Sequence, residues 1–303
     1  MMAKIPATVV TGFLGAGKTT LIRHLVENAG GRRIALVINE FGDLGVDGEI
    51  VKGCGIEGCA EEDVVELSNG CICCAVADDF LPALEMLLAR DPAPDHIVIE
   101  TSGLALPQPL VRAFGWPDVR TRVTVDGVIA VVDGPAVAEG RFAADPDAVA
   151  AQRAADETLD HATPLAELFE DQLASADMIL VNKADLMAEG AAARVAAELG
   201  ARTRPGVTVT PTERGTVPVT VLLGLAMGAE DDLAARAEVH HRHDDNHHDD
   251  DHHHHDDDHH DHDHHHDHGH DHGHDHGHDA FESFVVDLSP VADPGALADR
   301  VQA

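Results

Sequence analysis

The chain has 303 residues with 20 Lys and Arg against 55 Asp and Glu, a formal net charge of −35. So acidic a protein is repelled by phosphate backbones, which excludes nucleic acid as a general partner and suits cations instead. No run of 18 or more uncharged apolar residues is present, so no membrane span is expected, and the short apolar run of MMAKIPATVV does not read as a secretory signal. A cytoplasmic location follows as the expectation. There the five cysteines, Cys54, Cys59, Cys71, Cys73 and Cys74, stay reduced and read as metal ligands or reactive thiols.

Residues 6–11 (PATVVT) are β-branched and read as a strand. The glycine-rich stretch 12–19 follows, then a helix over 18–28. Residues 33–39 form a second buried strand and 64–67 a short one, ending near the Asn69-Gly70 turn pair. Over 76–90, Phe80, Leu81, Leu84, Leu87 and Leu88 recur at helical spacing. Asp78 and Asp79 fall in that helix's first turn, where the dipole favours negative charge. Residues 96–101, 128–132 and 176–182 are further strands, the last preceded by a helix over 165–173. Strand and helix alternate, which predicts an α/β fold: a mostly parallel sheet with helices on both faces.

The alternation weakens after about residue 224. Residues 240–279 hold 21 His and 14 Asp and bury no apolar surface, so they are expected to be a disordered linker. FESFVVDL, residues 281–288, alternates like a strand, and 294–301 could start a helix. Three regions are therefore expected: a nucleotide-binding domain over 1–228, a His/Asp-rich linker over 229–279, and the start of a small α+β domain over 280–303.

GFLGAGKT, residues 12–19, has the P-loop pattern. Gly12, Gly15, Ala16 and Gly17 would curl backbone N–H groups around phosphate oxygens at a helix N-terminus. Lys18 would reach the β- and γ-phosphates, Thr19 would ligate Mg2+, and Thr20 would stand beside the phosphates on the same turn. In NKAD, the carboxylate of Asp185 can accept from both N1–H and the exocyclic amine of guanine. Adenine offers neither donor, so GTP is favoured over ATP. Asn182 would orient the loop and Lys183 would pack over the base. HIVIETSG, residues 96–103, delivers Glu100 to the strand end, where it could hold Mg2+ through water or position the attacking water. Gly103 would let the backbone approach the γ-phosphate. No residue identifies itself as an arginine finger or general base, so slow intrinsic hydrolysis is expected.

GCICC, residues 70–74, puts three thiols within four positions beside a helix start, where thiolates are favoured and Zn2+, Co2+ or Cu+ can bind. Cys54 and Cys59, with four residues between them in CGIEGC, either chelate or are plain loop residues. Glu40 could add an oxygen ligand or sit in a nucleotide-sensing loop. The His/Asp tract offers many weak imidazole sites. His24, His96 and His161 read as structural or surface residues.

With the P-loop, GCICC, ETSG and NKAD in this order, the sequence resembles the CobW family of P-loop GTPases. NEFGDLGVDGEIV (39–51), CGIEGC and NGCICCAVADDF (69–80) carry the likeness further. The resemblance covers residues 5–185 strongly and the His-rich linker loosely. It implies GTP hydrolysis, GTP with Mg2+ at residues 12–19, and a transition metal at Cys71, Cys73 and Cys74. It also implies delivery of Co2+ to a client metalloprotein, the cobaltochelatase of cobalamin synthesis, and it allows a homodimer. Family members usually have a longer C-terminal domain. Thiolate chemistry by itself prefers zinc to cobalt, so a zinc chaperone and a metal-buffering protein stand as alternatives.

Overall fold

The alternation of short Val/Ile-rich segments with helices produces one sheet. In a computed structural model of the chain, which describes residues 4–39, 64–67, 80–155 and 164–231, seven strands are hydrogen-bonded in the order β3-β2-β4-β1-β5-β6-β7. They are β1 (Ile5–Thr11), β2 (Ile34–Asn39), β3 (Val64–Leu67), β4 (His96–Glu100), β5 (Val123–Asp133), β6 (Met178–Asn182) and β7 (Thr208–Pro211). Every pairing is parallel. All described residues lie in the first of two units into which the chain divides, Met1–Asp250.

Parallel strands need crossover helices, and these cover both faces. The helices are α1 (Lys18–Glu27), α2 (Leu81–Leu88), α3 (Pro107–Ala113), α4 (Pro117–Arg120), α5 (Gly134–Ala138), α6 (Pro146–Ala155), α7 (Leu165–Ser175), α8 (Ala191–Arg202) and α9 (Val219–Leu222). Strand residues alternate between faces. Val10, Leu36, Val98, Ile129, Val131 and Leu180 pack on α1 and α9. Val9, Val37, Ile97 and Ile99 face α2, α3 and α4 on the other side. On that same side Ala130, Val132, Ile179 and Val181 meet α7 and α8.

The six strands expected between residues 6 and 182 all appear, and β7 and the helices α3, α4, α5, α6, α8 and α9 are added to them, while the strand expected over 281–288 and the helix start over 294–301 lie outside the described residues. Of the helix expected over 76–90, residues 76–79 with Asp78 and Asp79 lie outside the described residues, and the described part runs Leu81–Leu88. One strand start differs by several residues. β5 begins at Val123, five residues earlier than its apolar run. Asp126 and Gly127 hide this strand half in the sequence. The Asp126 carboxylate accepts from the backbone N–H groups of Gly224, Leu225 and Ala226 at 2.7, 3.2 and 2.8 Å. A carboxylate so satisfied can be buried in a strand at little cost. Cys54, Cys59, Cys71, Cys73, Cys74, Glu40, His161 and everything from residue 232 onward also lie outside the described residues.

Candidate nucleotide site

A parallel sheet brings all strand carboxyl ends to one edge, and ligands bind there. Residues 12–17 leave β1 at that edge and enter α1 at Lys18. Gly12, Gly15 and Gly17 have φ of 137°, 78° and 105°, and Ala16 N–H donates to the Phe13 carbonyl at 3.1 Å. Gly17 is required twice over. Its φ is left-handed, and a Cβ there would stand 2.3 Å from Asn182 Nδ2. No side chain caps the start of α1, and its first turn carries no acidic residue. Its N–H groups are thus open to an anion.

Lys18 and Glu100 are both buried, with Nζ and Oε1 3.9 Å apart. Register places Glu100 beside Val10, one residue before the end of β1. Thr19 is half-buried and Thr20 exposed on the same first turn. After β4 the chain passes close over the loop. A Cβ on Gly103 would lie 2.8 Å from Leu14 N, so only glycine lets the two segments touch. The buried hydroxyls of Thr11 and Ser102 have no hydrogen-bond partner among the described residues. Open helix N–H groups, a buried ammonium and unmatched hydroxyls fit a phosphate chain with its bound Mg2+.

The base side forms around β6. Asn182 Nδ2 donates to the Ala16 carbonyl at 2.9 Å, and its Oδ1 accepts from Gly215 N–H at 2.9 Å. Lys183, held at φ 62°, donates to Asp133 Oδ2 at 2.5 Å. Asp133 Oδ1 in turn accepts from Ala136 N–H and caps α5. Asp185 lies on the next turn, partly exposed, 3.8 Å from the Arg214 guanidinium. Of the residues singled out in the sequence, this edge gathers Gly12, Gly15, Ala16, Gly17, Lys18, Thr19, Thr20, Glu100, Gly103, Asn182, Lys183 and Asp185. The sequence reading missed Asp133 and the loop over 212–216. Asp133 had a local signal, ending a strand before Gly134-Pro135. The loop is marked only by Gly215, at φ 66°.

Phe13 anchors the phosphate loop. Its ring lies 6.1 Å from Phe142 and 6.0 Å from Phe169 by centroids, and it is almost fully buried. Such a side chain contributes about 2–3 kcal/mol by burial. Gln172 on α7 donates through Nε2 to the Gly103 carbonyl at 3.0 Å, so the glycine segment is also held.

Among the described residues, no group of three or more His, Cys, Asp or Glu side chains could hold a metal ion. None of the described helices is long and apolar enough to cross a membrane.

Residues 6–211 match the family described as CobW/HypB/UreG, nucleotide-binding domain. The chain is 53% identical over 299 residues to the zinc chaperone CobW of a Sinorhizobium species, covering 99% of this chain and 77% of the relative. It is 56% identical over 247 residues to the zinc chaperone CobW of Pseudomonas aeruginosa, covering 80% of this chain and 65% of that one. Among solved structures it is similar to a Zn(II)-bound triple mutant of the YjiA GTPase, with a TM-score of 0.47 and 26% identity over 74% of this chain and 63% of the other. The family match spans all but the first residue of the sheet, from Pro6 in β1 to the end of β7, and the chain therefore belongs to the CobW/HypB/UreG family, as a CobW-type P-loop GTPase.

Proposed function

We propose that this chain is a metallochaperone that hydrolyses GTP and couples the nucleotide's state to the capture and release of a transition-metal ion. The observation that carries the reading is the pair of hydrogen bonds made by the Asn182 amide. One side chain joins the phosphate loop at Ala16 to the base-side loop at Gly215, as a guanine nucleotide pocket requires. In this reading Lys18 and the α1 N-terminus grip the phosphates, Asp185 selects guanine, and Thr19 and Glu100 hold Mg2+. The bound Mg2+ supplies neutralisation of the charge on the phosphate oxygens.

The metal cargo would be taken by Cys71, Cys73 and Cys74, with Glu40 as an oxygen ligand. Chain connectivity supports their coupling to the nucleotide. β2 ends at Asn39, next to Glu40, and β3 ends at Leu67, four residues before Cys71. Four residues span at most about 14 Å. β3 lies three strands from β1, also about 14 Å at 4.8 Å per strand. Both tethers leave from the same sheet edge as the phosphate loop.

Zn2+ is the favoured cargo, on thiolate chemistry and on the names of the two CobW relatives. Delivery of Co2+ to a cobaltochelatase rests on the likeness of residues 39–51 and 69–80 alone. Client and homodimer formation belong to the same proposal, as does the division at residues 228 and 279. The test is competitive titration of Zn2+ and Co2+ into the Mg2+·GTP and Mg2+·GDP forms, read by thiolate-to-metal absorbance. Linkage requires the metal to tighten GTP binding by the factor by which GTP tightens metal binding. Equal metal affinity in both nucleotide states defeats the coupling.

A further inference from the structure

On the proposed GTP hydrolysis rests one more assignment, a residue that no motif in the chain marks. We infer that Gln152, on α6, positions the water that attacks the γ-phosphate.

The Gln152 Oε1 atom is buried and has no hydrogen-bond partner among the described residues. It lies where residues 100–103 cross the phosphate loop. A Cβ built on Gly103 would meet Leu14 N at 2.8 Å, Phe13 C at 3.3 Å and Gln152 Oε1 at 3.5 Å. The amide oxygen therefore lies against the one backbone position shared by the phosphate loop and the segment after Glu100. A buried carbonyl without a donor costs its full desolvation. That cost persists where a ligand or its water brings the missing donor.

The surroundings hold this amide in place. One turn before Gln152, Val149 is buried in the cluster that contains Phe13 and Phe169. The helix and the phosphate loop are thus packed on the same side chains. From α7, Gln172 Nε2 fixes the Gly103 carbonyl. Two glutamines on successive helices then have separate tasks. Gln172 holds the backbone, and Gln152 offers an acceptor oxygen to a water O–H.

In the step, a bond forms between the water oxygen and the γ-phosphorus. The bond from that phosphorus to the β–γ bridging oxygen breaks, and GDP leaves with its electron pair. The water's proton ends on the released phosphate, so Gln152 orients and is not the base. Phosphoryl transfer responds strongly to such placement.

Two variants of the full chain test this, each compared with Lys18→Ala as the background. Gln152→Ala is expected to lower the single-turnover rate by about tenfold or more, while affinity for GDP and for a non-hydrolysable GTP analogue stays within about twofold. Gln152→Glu keeps the side chain's size and adds charge. It is expected to weaken the GTP analogue by about tenfold and leave GDP unchanged, because only the γ-phosphate meets the new carboxylate. Wild-type turnover in Gln152→Ala overturns the assignment, as does an unchanged ratio of GTP-analogue to GDP affinity in Gln152→Glu. If rate and GDP affinity fall together with the melting temperature, Gln152 is structural and the assignment is also overturned. A wild-type chain that binds GTP and cleaves it no faster than Lys18→Ala removes the hydrolytic reading itself, and this assignment with it.

Discussion

Asn182 holds two loops with one amide, so its loss is felt twice. Asn182→Ala leaves the Ala16 carbonyl and the Gly215 N–H without their partner. A buried group so orphaned costs about 1–3 kcal/mol, and part of the gap can be filled by water. The expected outcome is a stability loss of about 2 kcal/mol in urea unfolding, with weaker binding of GDP and GTP alike. Gly17→Ala should harm the same junction, since its Cβ would collide with the Asn182 amide. Its expected signature is lost nucleotide binding in a fluorescent-GDP titration. NKAD was legible because its residues are adjacent in sequence and their chemistry toward guanine is specific. Gly215, 33 residues downstream, was not, because nothing local ties a glycine in TERG to an amide on another strand. Gln152 was hidden for the same reason: a single glutamine on an amphipathic helix has no motif around it.

At the scale of elements, β4 carries a pH dependence. His96 is buried in the strand, with Nε2 2.8 Å from Thr8 Oγ1. Burial drives its pKa down from the ordinary 6.5 to about 4, against the opposing pull of the Asp126 charge. The folded chain therefore holds a neutral imidazole while the unfolded chain takes up a proton below pH 6.5. Stability is full above that pH and falls as pH drops from about 6.5 toward 4, by at most about 3 kcal/mol. Urea midpoints for wild type and His96→Gln across this range check it, and the variant should show the shallower slope.

The amino half of β5 makes a second case. Glu230 accepts from Thr124 Oγ1 at 2.6 Å and from Val125 N–H at 2.9 Å. Glu230→Ala should cost about 1–3 kcal/mol in thermal or urea unfolding without altering nucleotide affinity, since the bond lies at the opposite sheet edge. The sequence shows only the apolar half of this strand. The polar half is a strand because residues 224–230 return to satisfy it, and that return is invisible to local periodicity.

At the scale of the whole molecule, the parallel sheet was legible because βαβ alternation leaves few other topologies. The pocket was legible where it is made of strand ends, since each motif follows a run of Val and Ile. The cysteines proposed as metal ligands stand out as chemistry, three thiols in four residues, but they lie outside the described residues. The His/Asp tract can be separated from them by deletion. Removing residues 240–279 is expected to abolish the weak, multiple metal sites and keep one tight GTP-dependent site, as measured by calorimetric Zn2+ titration. A chain that loses all binding on this deletion is a metal buffer instead.

The bridge through Asn182 has a consequence for how the proposed GTPase would tell a charged nucleotide from a spent one. Guanine and the inner phosphates survive hydrolysis, so everything this amide ties together is indifferent to turnover. In the proposed reading, discrimination falls to the opposite wall, residues 100–103. That wall hangs from β4, whose other neighbour β2 runs directly into Glu40. On that reading, the grip that would retain the nucleotide and the sensor that would read its length are built on different strands, so one could change without releasing the other.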